Sequence, residues 1–223
     1  MKKCCRIQTV ALCALAALLA GCSVLSAKPA AELTRYSLDD ANIRATRTAG
    51  ELTLAALHSQ GTKVLIVNRP SAASGFDSPG MIYLRQAQQL ESFANNAWVD
   101  TPARMLAPLL VRALQADGFY RAVLSSPSAA SADLRLDTSI VRLQQDFRQT
   151  PSQVRFTLQA TLVDSTTRQV IVSRELDAVR TADSDDPMGG ALAAKLAVQD
   201  VLEQLAAVCS KAASTWTPKS AGT

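Results

Sequence analysis

Residues 134–178 read LRLDTSIVRLQQDFRQTPSQVRFTLQATLVDSTTRQVIVSRELDA and contain the strongest β pattern of the chain. Within residues 134–140 and 154–162, side chains of one face are largely apolar and those of the other face are polar. Such alternation is typical of strands with one buried and one wet face. Residues 170–178 return after a polar turn at residues 164–167. The stretch therefore predicts three long strands in an antiparallel meander.

A helix is predicted upstream of this meander. Thr101 can cap the first free amides, Pro102 suits the first helical position, and Gly118 follows the end of the apolar repeat. Pro108, inside the span, is expected to bend the helix or to mark a shortened first turn because it lacks a backbone donor. The predicted buried face carries Leu106, Leu110, Ala113 and Leu114.

A second amphipathic helix is predicted over residues 191–211. Its predicted buried face carries Ala194, Val198, Val201, Leu202, Leu205, Val208 and Cys209. Leu192 and Leu196 fall outside this face and hint at a second contact surface, although scattered surface leucines are common. The remainder, residues 212–223, is predicted to be a disordered tail.

Shorter strands are predicted at residues 33–38, 63–67 and 119–124, and a hairpin at residues 81–84 and 88–93. The loop at residues 71–80 holds one large apolar side chain, Phe76. Together these elements predict an α+β fold in which an antiparallel sheet carries helices packed on one face.

The first 22 residues have the pattern of a lipoprotein export signal. Basic residues precede an apolar run at residues 10–20, which is too short to span a bilayer, and the run ends in Leu19-Ala20-Gly21-Cys22. This predicts a signal peptide at residues 1–21, lipid on Cys22, a flexible tether at residues 22–31 and one domain at residues 32–211. Ser23, rather than Asp, resembles the outer-membrane class of lipoproteins. A secreted protein with an incidental Cys22 is the alternative.

Composition limits the classes of partner. Three of the 23 basic residues leave with the signal, so 20 basic residues face 19 acidic ones. This near neutrality, without a Lys or Arg run, argues against nucleic-acid binding. Four of the five cysteines lie at or before Cys22, so Cys209 has no intrachain partner and is predicted to be a buried apolar residue.

The mature sequence holds no evident catalytic or metal-binding motif. His58 is the sole histidine, which leaves neither a multi-histidine metal site nor a conventional Ser-His-Asp centre. Asp183, Asp185 and Asp186 form the one dense carboxylate group, and they fit an electrostatic cap of the last helix better than a calcium site. No cofactor is predicted apart from the covalent lipid on Cys22.

The central part of the chain resembles the ABC-type transport auxiliary lipoproteins, the PqiC-like lipoproteins of MCE-type systems. The residues that carry the resemblance are Arg69-Pro70, Phe76, Ser78, Met81, Tyr83, Phe93, Trp98-Val99-Asp100, Pro102, Leu106, Leu110, Leu114, Phe119 and Val123. The resemblance implies a fold similar to the N-terminal domain of TolB. It further implies an outer-membrane lipoprotein at the periplasmic face that assists an ABC transporter and an MCE-domain protein in phospholipid transport, with homo-oligomers as one form of assembly.

Within this hypothesis, Phe76, Tyr83 and Trp98 are candidates for a partner-binding surface, because aromatic side chains contribute much contact energy. Core packing is the competing interpretation for Tyr83 and Trp98, which leaves Phe76 as the better surface candidate. Two other functions stay open. One is an assembly lipoprotein that braces a β-barrel partner, and the other is a periplasmic hydrolase with a reactive cluster assembled from distant residues.

Overall fold

The predicted strands and helices form, with altered ends. A computed structural model describes residues 32–39 and 61–217, and the described residues from Leu33 onward form one compact unit. In chain order, the elements are β1 (Thr34–Tyr36), β2 (Val64–Val67), β3 (Ser71–Ala72), β4 (Gly80–Leu84), β5 (Leu90–Trp98), α1 (Pro102–Ala116), β6 (Ala122–Ser125), β7 (Leu134–Asp146), β8 (Gln153–Asp164), β9 (Val170–Thr181) and α2 (Pro187–Thr215).

The long strand β7 organises the sheet. One edge of β7 pairs antiparallel with β8 along its length, and β8 pairs antiparallel with β9, as the meander predicted. The other edge pairs in parallel with β2, β3 and β4 in succession. The hairpin of β4 and β5 is also confirmed. The expectation of an antiparallel sheet is corrected, because the sheet is mixed. Its parallel pairs join strands far apart in the chain, which local alternation cannot indicate.

Both helices cover the same face of the sheet, as predicted. Helix α1 contacts β3, β6 and β7, helix α2 contacts β7, β8 and β9, and the two helices contact each other. The core lies between this helical layer and the sheet. Its fully buried side chains include Leu106, Leu110 and Leu114 of α1, Leu134, Leu136 and Ile140 of β7, Phe156, Leu158 and Leu162 of β8, and Val198 and Leu205 of α2. The inward residues of the alternating pattern therefore fill one core.

The start of α1 differs from the prediction in one respect. Pro102 takes the first turn, but the Thr101 side chain makes no capping hydrogen bond. Instead, the Thr101 carbonyl accepts from the amides of Arg104 and Met105, at 3.0 and 3.1 Å. Asp100 pairs with Arg104 at 3.1 Å. Pro108 lies within an uninterrupted α1, while Gly118, with φ of 73°, follows the helix end in a conformation that favours glycine.

Helix α2 extends beyond its predicted range at both ends. At its C-terminal end, Lys63 donates hydrogen bonds to the carbonyl oxygens of Ala213 and Trp216, the latter at 2.7 Å. Its Nζ also lies 5.4 Å from the centroid of the Trp216 ring. Cys209 is buried, and burial raises the pKa of its thiol to about 12. The segment predicted to be a disordered tail, residues 212–223, therefore includes the last turn of α2 and also Trp216, which contacts Lys63 just before β2.

Several sequence predictions fall outside the described residues. These are the signal peptide, the Cys22 site, the whole tether at residues 22–31, His58 with its surrounding segment, and residues 218–223. Within residues 32–39 and 61–217, no helix has both the length and the apolar character that a membrane span needs.

Candidate partner-binding surface

The three aromatic residues proposed for partner contact are all buried. Phe76, Tyr83 and Trp98 expose 8, 7 and 3% of their surface, respectively. The expectation that Phe76 is an exposed side chain is therefore corrected: the loop after β3 tucks back, and the Phe76 amide donates to the Ala73 carbonyl at 2.9 Å. Burial of Tyr83 and Trp98 matches the core-packing interpretation. These side chains leave little area that a partner could contact directly.

Tyr83 belongs to an aromatic cluster at one end of the sheet. Its ring centroid lies 4.4 Å from that of Phe93 and 5.8 Å from that of Phe147. The hydroxyl donates to Glu91 at 2.9 Å, and this hydrogen bond together with burial raises the pKa of Tyr83. Because the three rings come from β4, β5 and the residue after β7, the cluster packs these strands together.

The carboxylates before α2 fix the start of that helix. Asp186 is its N-cap and accepts a hydrogen bond from the Gly189 amide at 2.8 Å, as the electrostatic-cap interpretation predicted. This bond and one from the Ser184 hydroxyl lower the pKa of Asp186. Asp185 accepts from the Ser152 amide at 2.6 Å, which ties the helix start to the turn between β7 and β8. In the described part of the chain, no three His, Cys, Asp or Glu residues are grouped so as to hold a metal ion.

An exposed apolar row follows directly on α2. Met188, Leu192 and Leu196 are spaced four residues apart, so they lie on one side of the helix. They expose 60, 51 and 45% of their surface. The opposite side of α2 is packed into the core. The row is therefore an apolar strip that the domain itself leaves uncovered.

The outer edge of β9 lies beside the same helix. Within the described chain, β9 pairs only with β8, so one edge of this 12-residue strand carries no strand partner. Arg180 of β9 pairs with Asp200, one turn after Leu196, and hydrogen bonding to Asp200 raises the pKa of Arg180. One turn further, Gln204 donates to the Asp177 carbonyl of β9 at 3.4 Å. Helix and strand thus present one continuous face.

We name Met188, Leu192, Leu196 and the outer edge of β9 the α2–β9 surface. An apolar strip beside an unpaired strand edge suits a protein partner, because the edge offers backbone hydrogen bonds and the strip offers burial. The sequence pattern had indicated Leu192 and Leu196. It missed Met188 because the predicted helix began too late, although Asp186-Pro187 is itself a start signal. It missed the strand edge because strand order is not encoded in local alternation.

Comparison with known proteins now identifies the family. The family described as ABC-type transport auxiliary lipoprotein component matches residues 36–206. The chain belongs to this family of auxiliary lipoproteins. The match spans strands β2 to β9, α1 and most of α2, including the three exposed residues of the α2–β9 surface. No protein among the curated sequences matches this chain.

Two solved structures share the fold of this family member. Protein XCC0632 from Xanthomonas campestris is 25% identical, with a TM-score of 0.63, over 68% of this chain and 86% of that chain. A second crystal structure, of an uncharacterized protein, is 12% identical, with a TM-score of 0.61, over 80% of this chain and 99% of that chain. These likenesses support the mixed α+β architecture.

Proposed function

We propose that the protein is an outer-membrane-anchored periplasmic lipoprotein that acts as a non-catalytic auxiliary component of an MCE/ABC-type phospholipid transport system. The observation that carries this proposal is the family match over residues 36–206. The lipobox at Leu19-Ala20-Gly21-Cys22 supports the anchor, since acyl chains on Cys22 would hold the domain at a membrane. The tether of residues 22–31 could then reach roughly 30 Å if extended.

The α2–β9 surface supports a docking role for the domain. Full burial of a large apolar side chain contributes about 1.5–3 kcal/mol. Met188, Leu192 and Leu196 each retain about half of their surface for such burial. Covering all three would contribute roughly 3 kcal/mol before the cost of association. Strand pairing along β9 would add specificity, so the surface suits a periplasmic MCE-domain protein or another subunit of the transporter.

Labelling and co-purification test the proposal. Cells that express the full chain are grown with radiolabelled palmitate, the inner and outer membranes are separated, and the protein is purified after mild cross-linking. We expect label in the protein, recovery in the outer membrane, and co-purification with an MCE-domain protein and its ABC transporter.

Two cysteine variants make the labelling specific. Cys22→Ala should lose both the label and the membrane fraction, whereas Cys209→Ala, which alters the buried cysteine, should retain both. If both variants keep the label, lipidation at Cys22 is contradicted. Recovery of a β-barrel protein in place of the MCE protein would overturn the transport role in favour of outer-membrane assembly.

A further inference from the structure

A groove lies between the start of β9 and the last turns of α2. Its volume is about 500 Å³, within the range of about 300–1,000 Å³ that small-molecule sites occupy. Ile171 and Val172 line it from the strand, and Val208 lines it from the helix. All three are half-buried, so their apolar surface forms the wall of the groove.

A break in strand pairing explains why two consecutive β9 residues line this groove. The register pairs Val170 with Val163 and Val172 with Leu162, which leaves Ile171 without a partner on β8. Such an extra residue disrupts the alternation of side chains between the two faces. Ile171 and Val172 therefore both contribute apolar surface to the groove.

Among the described residues, the charged side chains that line the groove are both cationic. They are Arg174 and Lys211, and both are exposed. Neither Arg174 nor Lys211 forms an ion pair within the described chain, whereas Arg155 of β8 and Arg180 of β9 do. Long basic side chains can lay their stems on apolar surface while the charged head stays in water. The arrangement therefore complements a ligand with one apolar part and one anionic part.

Trp216 closes one side of the groove and is held in place. Its carbonyl oxygen accepts from Lys63 at 2.7 Å, and the same ammonium group lies near its ring. The helical residues that line the groove, from Val208 onward, lie beyond residue 206, where the family match ends. The groove is thus built partly from a segment that the family match does not include.

We infer that this groove binds one acyl chain of an anionic phospholipid, with the phosphate held by Arg174 and Lys211. The inference deepens the proposed function and rests on it for the class of cargo. On α2, the groove residues from Val208 onward are separate from Met188, Leu192 and Leu196, which lie on the N-terminal half of the helix. Lipid contact and partner contact therefore use different parts of the same helix.

Photo-labelling of the purified, lipidated full chain tests the inference. The protein in non-ionic detergent is irradiated with photoactivatable phosphatidylglycerol or, in parallel, photoactivatable phosphatidylcholine, and the labelled peptides are mapped by mass spectrometry. We expect phosphatidylglycerol to label residues 171–174 and 208–216 in preference to the rest of the domain. The double variant Arg174→Glu/Lys211→Glu should lower this labelling about fivefold, the effect of two exposed ionic contacts.

Matched variants keep the test decisive. Arg69→Glu/Arg85→Glu makes the same change of charge at two exposed arginines outside the groove and should leave labelling unchanged. Ala212→Phe, which fills the groove, should abolish labelling while the melting temperature shows that the domain is folded. If Ala212→Phe unfolds the domain, the comparison between Arg174→Glu/Lys211→Glu and Arg69→Glu/Arg85→Glu tests the inference without it.

Equal labelling by the two lipids, or unchanged labelling of Arg174→Glu/Lys211→Glu, would overturn the inference. In a competition arm, unlabelled phosphatidylglycerol or inorganic phosphate is added before irradiation. Equally strong competition by inorganic phosphate would also overturn the inference. Lys211→Glu alone, at a residue outside the α2–β9 surface, should still co-purify with the MCE-domain protein. Unchanged lipid labelling with retained co-purification would therefore contradict the groove inference but not the proposed function.

Discussion

Replacing Gly190 with Ala should destabilise the domain, although Ala normally stabilises a helix relative to Gly. A Cβ at this position would lie 2.0 Å from Oε1 and 2.6 Å from Cδ of Gln145. Gln145 is 4% exposed, and its Nε2 donates to the Ser152 hydroxyl at 2.9 Å and to the Asp186 carbonyl at 3.3 Å. The side chain therefore cannot swing into solvent without breaking the contacts that join α2 to the turn after β7.

The expected magnitude follows from three opposing contributions. The change from Gly to Ala favours the helix by about 1 kcal/mol. Overpacking a filled site costs about 1–3 kcal/mol, and each lost hydrogen bond costs about 0.5–1.5 kcal/mol. The net loss in the free energy of unfolding should be roughly 2 kcal/mol, which lowers the melting temperature of a domain of this size by about 4–8 °C.

Urea unfolding followed by circular dichroism measures this loss, and a double-mutant cycle tests its cause. In the Gln145→Ala background the clash is gone, so Gly190→Ala should be neutral or stabilising. Gly80→Ala is a matched control, because its Cβ would approach no atom closer than 3.3 Å. A stabilised Gly190→Ala single variant, or the same loss in the Gln145→Ala background, would refute this account of how α2 is fixed.

Three further predictions concern the core and the titratable groups. Leu205→Ala, at a fully buried position, should lower the free energy of unfolding by about 2–5 kcal/mol. Leu196→Ala, at a position that is 45% exposed, should lower it by about 1 kcal/mol or less. Equal losses of stability in calorimetry would contradict the buried and exposed faces given for α2. Because burial raises the pKa of Cys209 to about 12, its contribution to stability is complete below the ordinary thiol pKa of 9.0 and is lost as pH rises toward 12. Cys209→Ala should therefore reduce the fall of the urea midpoint with pH above pH 9. An unchanged dependence of the midpoint on pH would show that this thiol is not its source. Burial acts to raise the pKa of Asp177, but hydrogen bonds from Arg155 and Thr157 outweigh burial, so the pKa lies below its ordinary value of 3.8. The ionised Asp177 carboxylate should therefore stabilise the fold above pH 3.8, and this stabilisation should be lost as pH falls further. Asp177→Asn should reduce the loss of stability on acidification, and an unaltered acid unfolding curve would argue against these bonds.

The sequence was informative where packing is local. The alternation in β8, the hairpin of β4 and β5, and the leucine repeat of α1 each reflect burial of one face of a single element. The predicted first strand of the meander stopped at Ile140, whereas β7 continues to Asp146. The reason is the register shift between Ile140 and Arg142, after which Leu143 and Gln145 become the buried residues and the period changes phase.

Features that depend on contacts between distant segments were not predictable in the same way. Burial of Phe76 depends on how its loop folds back, and a Gly- and Ser-rich composition does not specify that path. The parallel pairing of Leu65 with Leu134 joins segments separated by α1 and several strands. The groove likewise requires the start of β9 to lie beside the end of α2. Its basic residues, Arg174 and Lys211, are 37 positions apart in the sequence and carry no common motif.

Site-specific photo-cross-linking in living cells shows whether the α2–β9 surface docks the domain onto the transport machinery. A benzoylphenylalanine at Leu192 is compared with one at Arg69, which is also exposed but lies outside that surface. We expect a covalent adduct with the MCE-domain protein from position 192 and none from position 69. Equal adducts from both positions, or an adduct from position 192 only with a second copy of this chain or with a β-barrel protein, would contradict it.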